Sequence, residues 1–214
     1  MNDLTEIIFI IDESGSMSGL EADTIGGFNS MIEKQKEEQA GKAVVTTVFF
    51  NTVIKTVHSR MALDKVPKLT KKDYTPGGCT ALLDALGGTI GAVDRAHKEA
   101  DPGDVPDHVL FVITTDGLEN SSREFTQKKV KELITEKQEK GWEFIFVAAN
   151  IDAAETAADY GINADNAVNY CPDELGTCTN YRAMSEAISN VRRVGKVGKA
   201  WKKTVSDDYN SRAR

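Results

Sequence analysis

The sequence predicts an α/β protein with a doubly wound, mostly parallel central sheet, helices on both faces and one antiparallel edge strand. Three observations predict it. Short apolar runs alternate along the chain with amphipathic stretches, the order expected of βαβ units. The run Ile7-Ile8-Phe9-Ile10-Ile11 is apolar without alternation, as a strand buried on both faces must be. Residues 43–50 and 52–58 are β-rich stretches divided by little more than Asn51, which predicts a hairpin and hence the antiparallel strand.

The remaining elements follow in order. Residues 24–39 carry Ile25, Phe28, Met31 and Ile32 at helical spacing, and Gly41 ends that helix. Residues 61–75 form a Lys-rich connection with Pro67 and no clear element. Residues 80–99 predict a helix with Leu82, Leu83, Leu86, Ile90 and Val93 on one face, after the turn Thr75-Pro76-Gly77-Gly78-Cys79. The break at 101–106 leads into a buried strand at 108–114. A charged amphipathic helix at 125–140 closes at Gly141, before a strand at 142–149 whose Trp142 is expected in the core. A short Ala-rich helix at 152–160, a last strand at 166–170 and a final helix from near Gly176 to about Trp201 complete the chain. With neither internal repeat nor linker, residues 1–200 read as one domain and 201–214 as a basic, frayed tail.

The composition restricts the function classes. A length of 214 residues suits one large domain with a full core. A net charge of −7 argues against general nucleic-acid binding. No apolar stretch approaches the ~20 residues of a membrane span, and the acidic start Met1-Asn2-Asp3-Leu4-Thr5-Glu6 has no signal-peptide character. Cys79, Cys171 and Cys178 are odd in number and form no CxxC pair, which fits reduced thiols in a cytoplasmic protein.

Directly after the first strand the chain turns polar, with Asp12, Ser14 and Ser16 at alternating positions of a Gly-containing loop. Loops past the carboxyl ends of parallel strands are where such sheets bind ligands. Oxygen donors of this kind suit a hard cation such as Mg²⁺, with Mn²⁺ or Ca²⁺ as related choices. Such an ion needs more oxygens from neighbouring loops. Thr80 follows a Gly-Gly turn, and Asp116 follows the strand Phe111-Val112-Ile113-Thr114 as Asp12 follows its own. If those two strands are neighbours, both carboxylates meet at the switch point of the sheet.

These residues give the sequence a specific resemblance. Asp12-x-Ser14-x-Ser16, then Thr80, then Asp116 is similar to the metal-ion-dependent adhesion site of von Willebrand factor type A domains, a Rossmann-like fold. The contexts Thr115-Asp116-Gly117 and Gly78-Cys79-Thr80-Ala81-Leu82-Leu83-Asp84-Ala85 are similar to the bacterial members. The resemblance covers roughly residues 4–170. It implies a metal site formed by Asp12, Ser14, Ser16, Thr80 and Asp116. It also implies a non-enzymatic protein-binding module, in which the ion captures an Asp or Glu side chain of a partner protein.

Other readings compete with each assignment. Ser14, Ser16 and Thr80 could be helix caps, and Asp12 and Asp116 turn residues. Asp84 is expected to orient the loops rather than bind the ion. Glu13 is expected to point away, Glu119 and Asn120 to be solvated, and Cys79 to be a small buried thiol. His58, His97 and His108 lack ligand spacing and are assigned structural or surface roles. The alternative function is a Mg²⁺-dependent phosphatase of the haloacid dehalogenase type, with Asp12 as nucleophile. Those enzymes carry a second Asp two residues later, where this chain has Ser14. In the C-terminal stretch, Arg192, Arg193, Lys196, Lys199, Lys202 and Lys203 intersperse an apolar helical pattern. They form either a basic helix end or a docking segment for an acidic partner, a membrane surface or a nucleic acid.

Overall fold

The structure, a computed structural model, describes residues 3–212. Among them, six strands form one sheet: β1 (Leu4–Asp12), β2 (Lys42–Phe50), β3 (Ile54–Ala62), β4 (His108–Thr115), β5 (Glu143–Ala148) and β6 (Ala167–Asn169). The helices are α1 (Glu21–Glu37), α2 (Leu82–Glu99), α3 (Gln127–Glu139), α4 (Ala153–Asp159), α5 (Glu174–Val194) and α6 (Lys203–Arg212). The strand order is β3-β2-β1-β4-β5-β6, with β3 antiparallel to β2 and every other pair parallel. The expected architecture is therefore present, antiparallel edge included.

Central placement explains why β1 is apolar without alternation from Ile7 to Ile11. It pairs with β2 on one side and β4 on the other. Ile7, Phe9 and Ile11 pack with Phe28, Met31 and Ile32 of α1 and with Met184, Ile188 and Val191 of α5. Ile8 and Ile10 point the other way, into a cluster with Leu86 and Ile90 of α2 and Val130 and Ile134 of α3. A strand with solvent on neither face has no polar alternate position, and each of these side chains contributes about 1.5–3 kcal/mol by burial. The chain winds outward from β1 to β3 and, after α2, from β4 to β6. The order thus reverses between β1 and β4, which opens the ligand crevice above their carboxyl ends.

Two segments differ from expectation. The stretch 61–75 is partly ordered into the core: β3 runs to Ala62, a 3₁₀ turn spans Leu63–Lys65, and Val66, Leu69 and Tyr74 are buried. Its apolar residues follow neither period, so no element shows in the pattern. The final helix does not reach Trp201. It stops at Val194, because Gly195 adopts a left-handed φ of 73° and donates its N–H to Val191 O at 2.8 Å. Of the segment expected to fray, 203–212 instead forms α6, which packs against α5 and β6 with Val205 buried, while 213–214 lie outside the described residues.

Four of the six basic residues of this region, Arg192, Arg193, Lys196 and Lys202, are engaged within the fold. Arg193 pairs with Glu38 at 3.0 Å and Lys196 with Glu143 at 3.2 Å. Lys202 Nζ donates to the carbonyls of Ala164 and Ala167, and Arg192 donates to Gln35 O at 2.7 Å. Trp142 is buried as expected. Among the described residues no helix is long and apolar enough to cross a membrane.

Candidate functional site

The carboxyl ends of β1 and β4 place Asp12 and Asp116 over the switch point. Asp12 is the last residue of β1 and its side chain is fully buried. Two donors fix the carboxylate: Ser14 N–H reaches Oδ1 at 2.7 Å and the Thr115 hydroxyl reaches Oδ2 at 2.7 Å. Because Thr115 ends β4, this second bond ties the two strand ends together. Below, the Tyr74 hydroxyl donates to Asp12 O at 2.6 Å, and its burial raises the phenol's pKa.

The first loop folds over this anchor. Ser14 and Ser16 hydroxyls lie 3.1 Å apart, and Ser16 Oγ donates to Asp116 Oδ1 at 2.5 Å. Asp116 is buried, and Asn150 Nδ2 donates to its carbonyl at 3.2 Å. Burial raises the Asp116 pKa, the Ser16 bond opposes that, and the charge of Asp12 adds to it. The Asp12 charge thus acts on Asp116. Among the described residues, no Lys or Arg side chain hydrogen-bonds either one.

Thr80 reaches this cluster through its loop. Gly15 N–H donates to Gly78 O at 3.1 Å and Gly77 N–H to Glu13 O at 2.9 Å, so the Asp12 and Thr80 loops are joined main chain to main chain. Gly78 sits at φ 76°, a conformation that favours glycine. Thr80 is buried, and its hydroxyl makes no hydrogen bond to another described residue. The structure therefore joins Ser14, Ser16 and Asp116 side chain to side chain, ties Asp12 to them through the Ser14 N–H, and seats Thr80 on an adjoining loop.

The capping alternatives are not realised. Ser14 precedes the 3₁₀ turn Gly15–Met17 without a side-chain cap bond, and the N-cap of α2 is Ala81 rather than Thr80. Glu13 is turned aside as expected, its carboxylate accepting from Thr75 N at 2.6 Å and from Lys55 Nζ at 3.3 Å. Asp84 orients a loop, accepting from the N–H groups of Arg123, Glu124 and Phe125.

Two expectations are corrected. Glu119 is half-buried and accepts from Leu83 N, Ser121 N and Ser122 N, while Asn120 is exposed as expected and its Oδ1 also accepts from Thr80 N. Cys79 is exposed, because its turn holds the main chain against Thr52 Oγ1 while the thiol is left outside. His58 and His97 are structural: His58 contacts Thr47 Oγ1 at 3.0 Å, and His97 contacts the buried Glu6. Sequence reasoning missed Tyr74 and Thr115; for Thr115 the signal was its place beside Asp116 at a strand end.

The donor set consists of two carboxylates and three hydroxyls. It fits a hard divalent cation, whose charge would offset two anions that lack a basic partner. No cluster of three or more His, Cys, Asp or Glu side chains able to hold a metal occurs among the described residues.

No protein-family model matches the sequence, and no curated protein matches it. Solved structures do match the fold. A von Willebrand factor type A protein from Catenulispora acidiphila is 15% identical at a TM-score of 0.59, over 87% of this chain and 42% of that one. The PilB minor pilin from Streptococcus sanguinis is 12% identical at a TM-score of 0.61, over 86% and 61%. Proximal thread matrix protein 1 from the mussel byssus, described with a zinc-occupied MIDAS motif, is 14% identical at a TM-score of 0.51, over 77% and 41%. The chain thus spans less than two thirds of the length of each of these three proteins.

Proposed function

From the premise that this chain has the von Willebrand factor type A fold, we propose that it is a metal-dependent protein-binding module. The observation that carries the reading is the pair of buried carboxylates, Asp12 and Asp116, linked through Ser14 and Ser16 and without a basic partner among the described residues. Asp12, Ser14, Ser16, Thr80 and Asp116 would hold the ion, Mg²⁺ by the all-oxygen donor set, with Mn²⁺ or Ca²⁺ as alternatives. A solved protein of the same fold is described with zinc in its MIDAS motif, which supports a divalent ion at this place in the fold.

The ion supplies positive charge at the surface. Two carboxylates only neutralise it, so an incoming Asp or Glu of a partner protein would complete its charge and coordination. Ser16 is exposed, which leaves the partner's side of the site open to solvent. Leu118 and Val53 are 64% and 69% exposed on the loops beside Asp116 and Thr80, offering apolar contact around the acidic residue. No step of catalysis is assigned to these residues. The unpaired cysteines fit a reducing, cytoplasmic setting.

The test is affinity capture from native cells with Mg²⁺ or with EDTA, using wild type, Asp12→Ala and Thr80→Ala. The reading expects a partner that is lost with EDTA and with both substitutions, while circular dichroism stays native. A partner retained under all three treatments would contradict it.

A further inference from the structure

We infer that Asn120 is a positioning residue for the candidate metal site: it holds the main chain of Thr80 so that the Thr80 hydroxyl is presented to the ion, without touching the ion itself. The inference rests on the metal-site reading above. Its basis is a reciprocal pair of hydrogen bonds. Thr80 N–H donates to Asn120 Oδ1 at 2.9 Å, and Asn120 N–H donates to Thr80 O at 3.0 Å. One residue, 40 positions away in sequence, thus satisfies both polar main-chain groups of Thr80.

Secondary structure does not do this job. Thr80 lies outside α2, and the next residue, Ala81, sends its N–H to Asn51 O at 2.9 Å. Without Asn120 the Thr80 N–H would lose its acceptor in a part-buried bond, at a residue that is itself buried. The rest of the contact between the two loops bypasses Thr80. Leu83 N–H goes to Glu119 Oε2 at 2.9 Å, Asp84 N–H goes to Ser122 Oγ at 3.0 Å, and Asp84 in turn takes three N–H groups of residues 123–125. Those bonds fasten the Asp116 loop to the start of α2. Asn120 alone among them fastens it to the candidate ligand.

A small divalent ion demands near-octahedral oxygens at nearly fixed distances. A ligand on an untethered turn must be ordered when the ion binds, whereas one held in advance is ordered on folding. Partners that orient ligands from outside the coordination sphere are worth about 10–100-fold in metal affinity. Asn120 sits on the same loop as Asp116, so one short segment would supply one ligand and set another.

The test is a Mn²⁺ titration followed by electron paramagnetic resonance on the full chain. The proteins are wild type, Asn120→Ala, Asn120→Asp and Ser122→Ala, with amide hydrogen exchange at Thr80 read in metal-free protein. Asn120→Ala is expected to weaken Mn²⁺ binding about 10–100-fold and to speed exchange at the Thr80 amide. Asn120→Asp keeps the Oδ1 acceptor and restores binding. Ser122→Ala removes two neighbouring bonds that do not involve Thr80, from Asp84 N–H and to Glu119 Oε2, and leaves binding unchanged. Wild-type affinity in Asn120→Ala, or equal weakening in Ser122→Ala, would overturn the positioning role while the metal site stood. Wild type that fails to bind Mn²⁺ would overturn the metal-site reading, and this inference with it.

Discussion

Replacing Asp116 with Asn should have opposite effects on the metal-free and metal-loaded protein. Asp116 is buried beside Asp12, and its pKa is raised first by that burial and then by the Asp12 charge. A carboxyl whose pKa rises on folding lowers stability wherever it is ionised, which includes neutral pH. Asn removes the charge and keeps an Oδ1 acceptor for the Ser16 hydroxyl, which now reaches it at 2.5 Å. In EDTA the variant should therefore unfold no earlier than wild type. With metal at about a hundred times its dissociation constant, wild type gains about 2.7 kcal/mol. For a chain of this size that is roughly 5–10 °C in Tm. Asp116→Asn leaves one carboxylate for a divalent ion, so its shift should collapse. The assay is thermal unfolding of both proteins at about pH 7, in EDTA and across a MgCl₂ series. A variant less stable than wild type in EDTA, or an undiminished shift with Mg²⁺, would refute the electrostatic reasoning.

Three further outcomes follow from the packing. Burial lowers the His58 pKa, partly offset by Asp73, so the unfolded state takes up the proton first as pH falls below about 6.5. Stability is full above that pH and should fall below it, by at most about 1.4 kcal/mol per pH unit for one proton; His58→Gln should flatten this slope in urea titrations. Gly27→Ala would put a Cβ 2.3 Å from the Tyr181 ring, where α1 and α5 meet. It should destabilise by about 1–3 kcal/mol in chemical unfolding. Tyr74→Phe removes the bond to Asp12 O and should lower stability by about 1–2 kcal/mol, measurable by the same unfolding; an unchanged midpoint would show that the bond contributes nothing.

Legibility tracked the range of the interactions involved. The central strands were visible because burial on both faces leaves no polar position, as in Ile7 to Ile11. The hairpin was visible because only Asn51 and its neighbours separate β2 from β3. Asp12 and Asp116 were visible because one ends an apolar strand and the other directly follows one, and adjacent strands bring such ends together. α6 was not visible, since Val205 is its one buried residue and the rest reads as solvated polar chain. Nor was the role of Asn120, because a side chain that satisfies a main chain 40 residues away leaves no periodic trace. The exposure of Cys79 depends on which way a glycine-rich turn faces, which composition does not encode.

The central claim, a divalent ion held by three loops at the top of the sheet, is tested most directly by crystals of the full chain grown with Mn²⁺. Diffraction at a wavelength where manganese scatters anomalously locates the ion itself. The account predicts one strong peak among the oxygens of Asp12, Ser14, Ser16, Thr80 and Asp116, absent from crystals grown in EDTA. A manganese peak elsewhere on the molecule, or none at these five residues at saturating Mn²⁺, would contradict it.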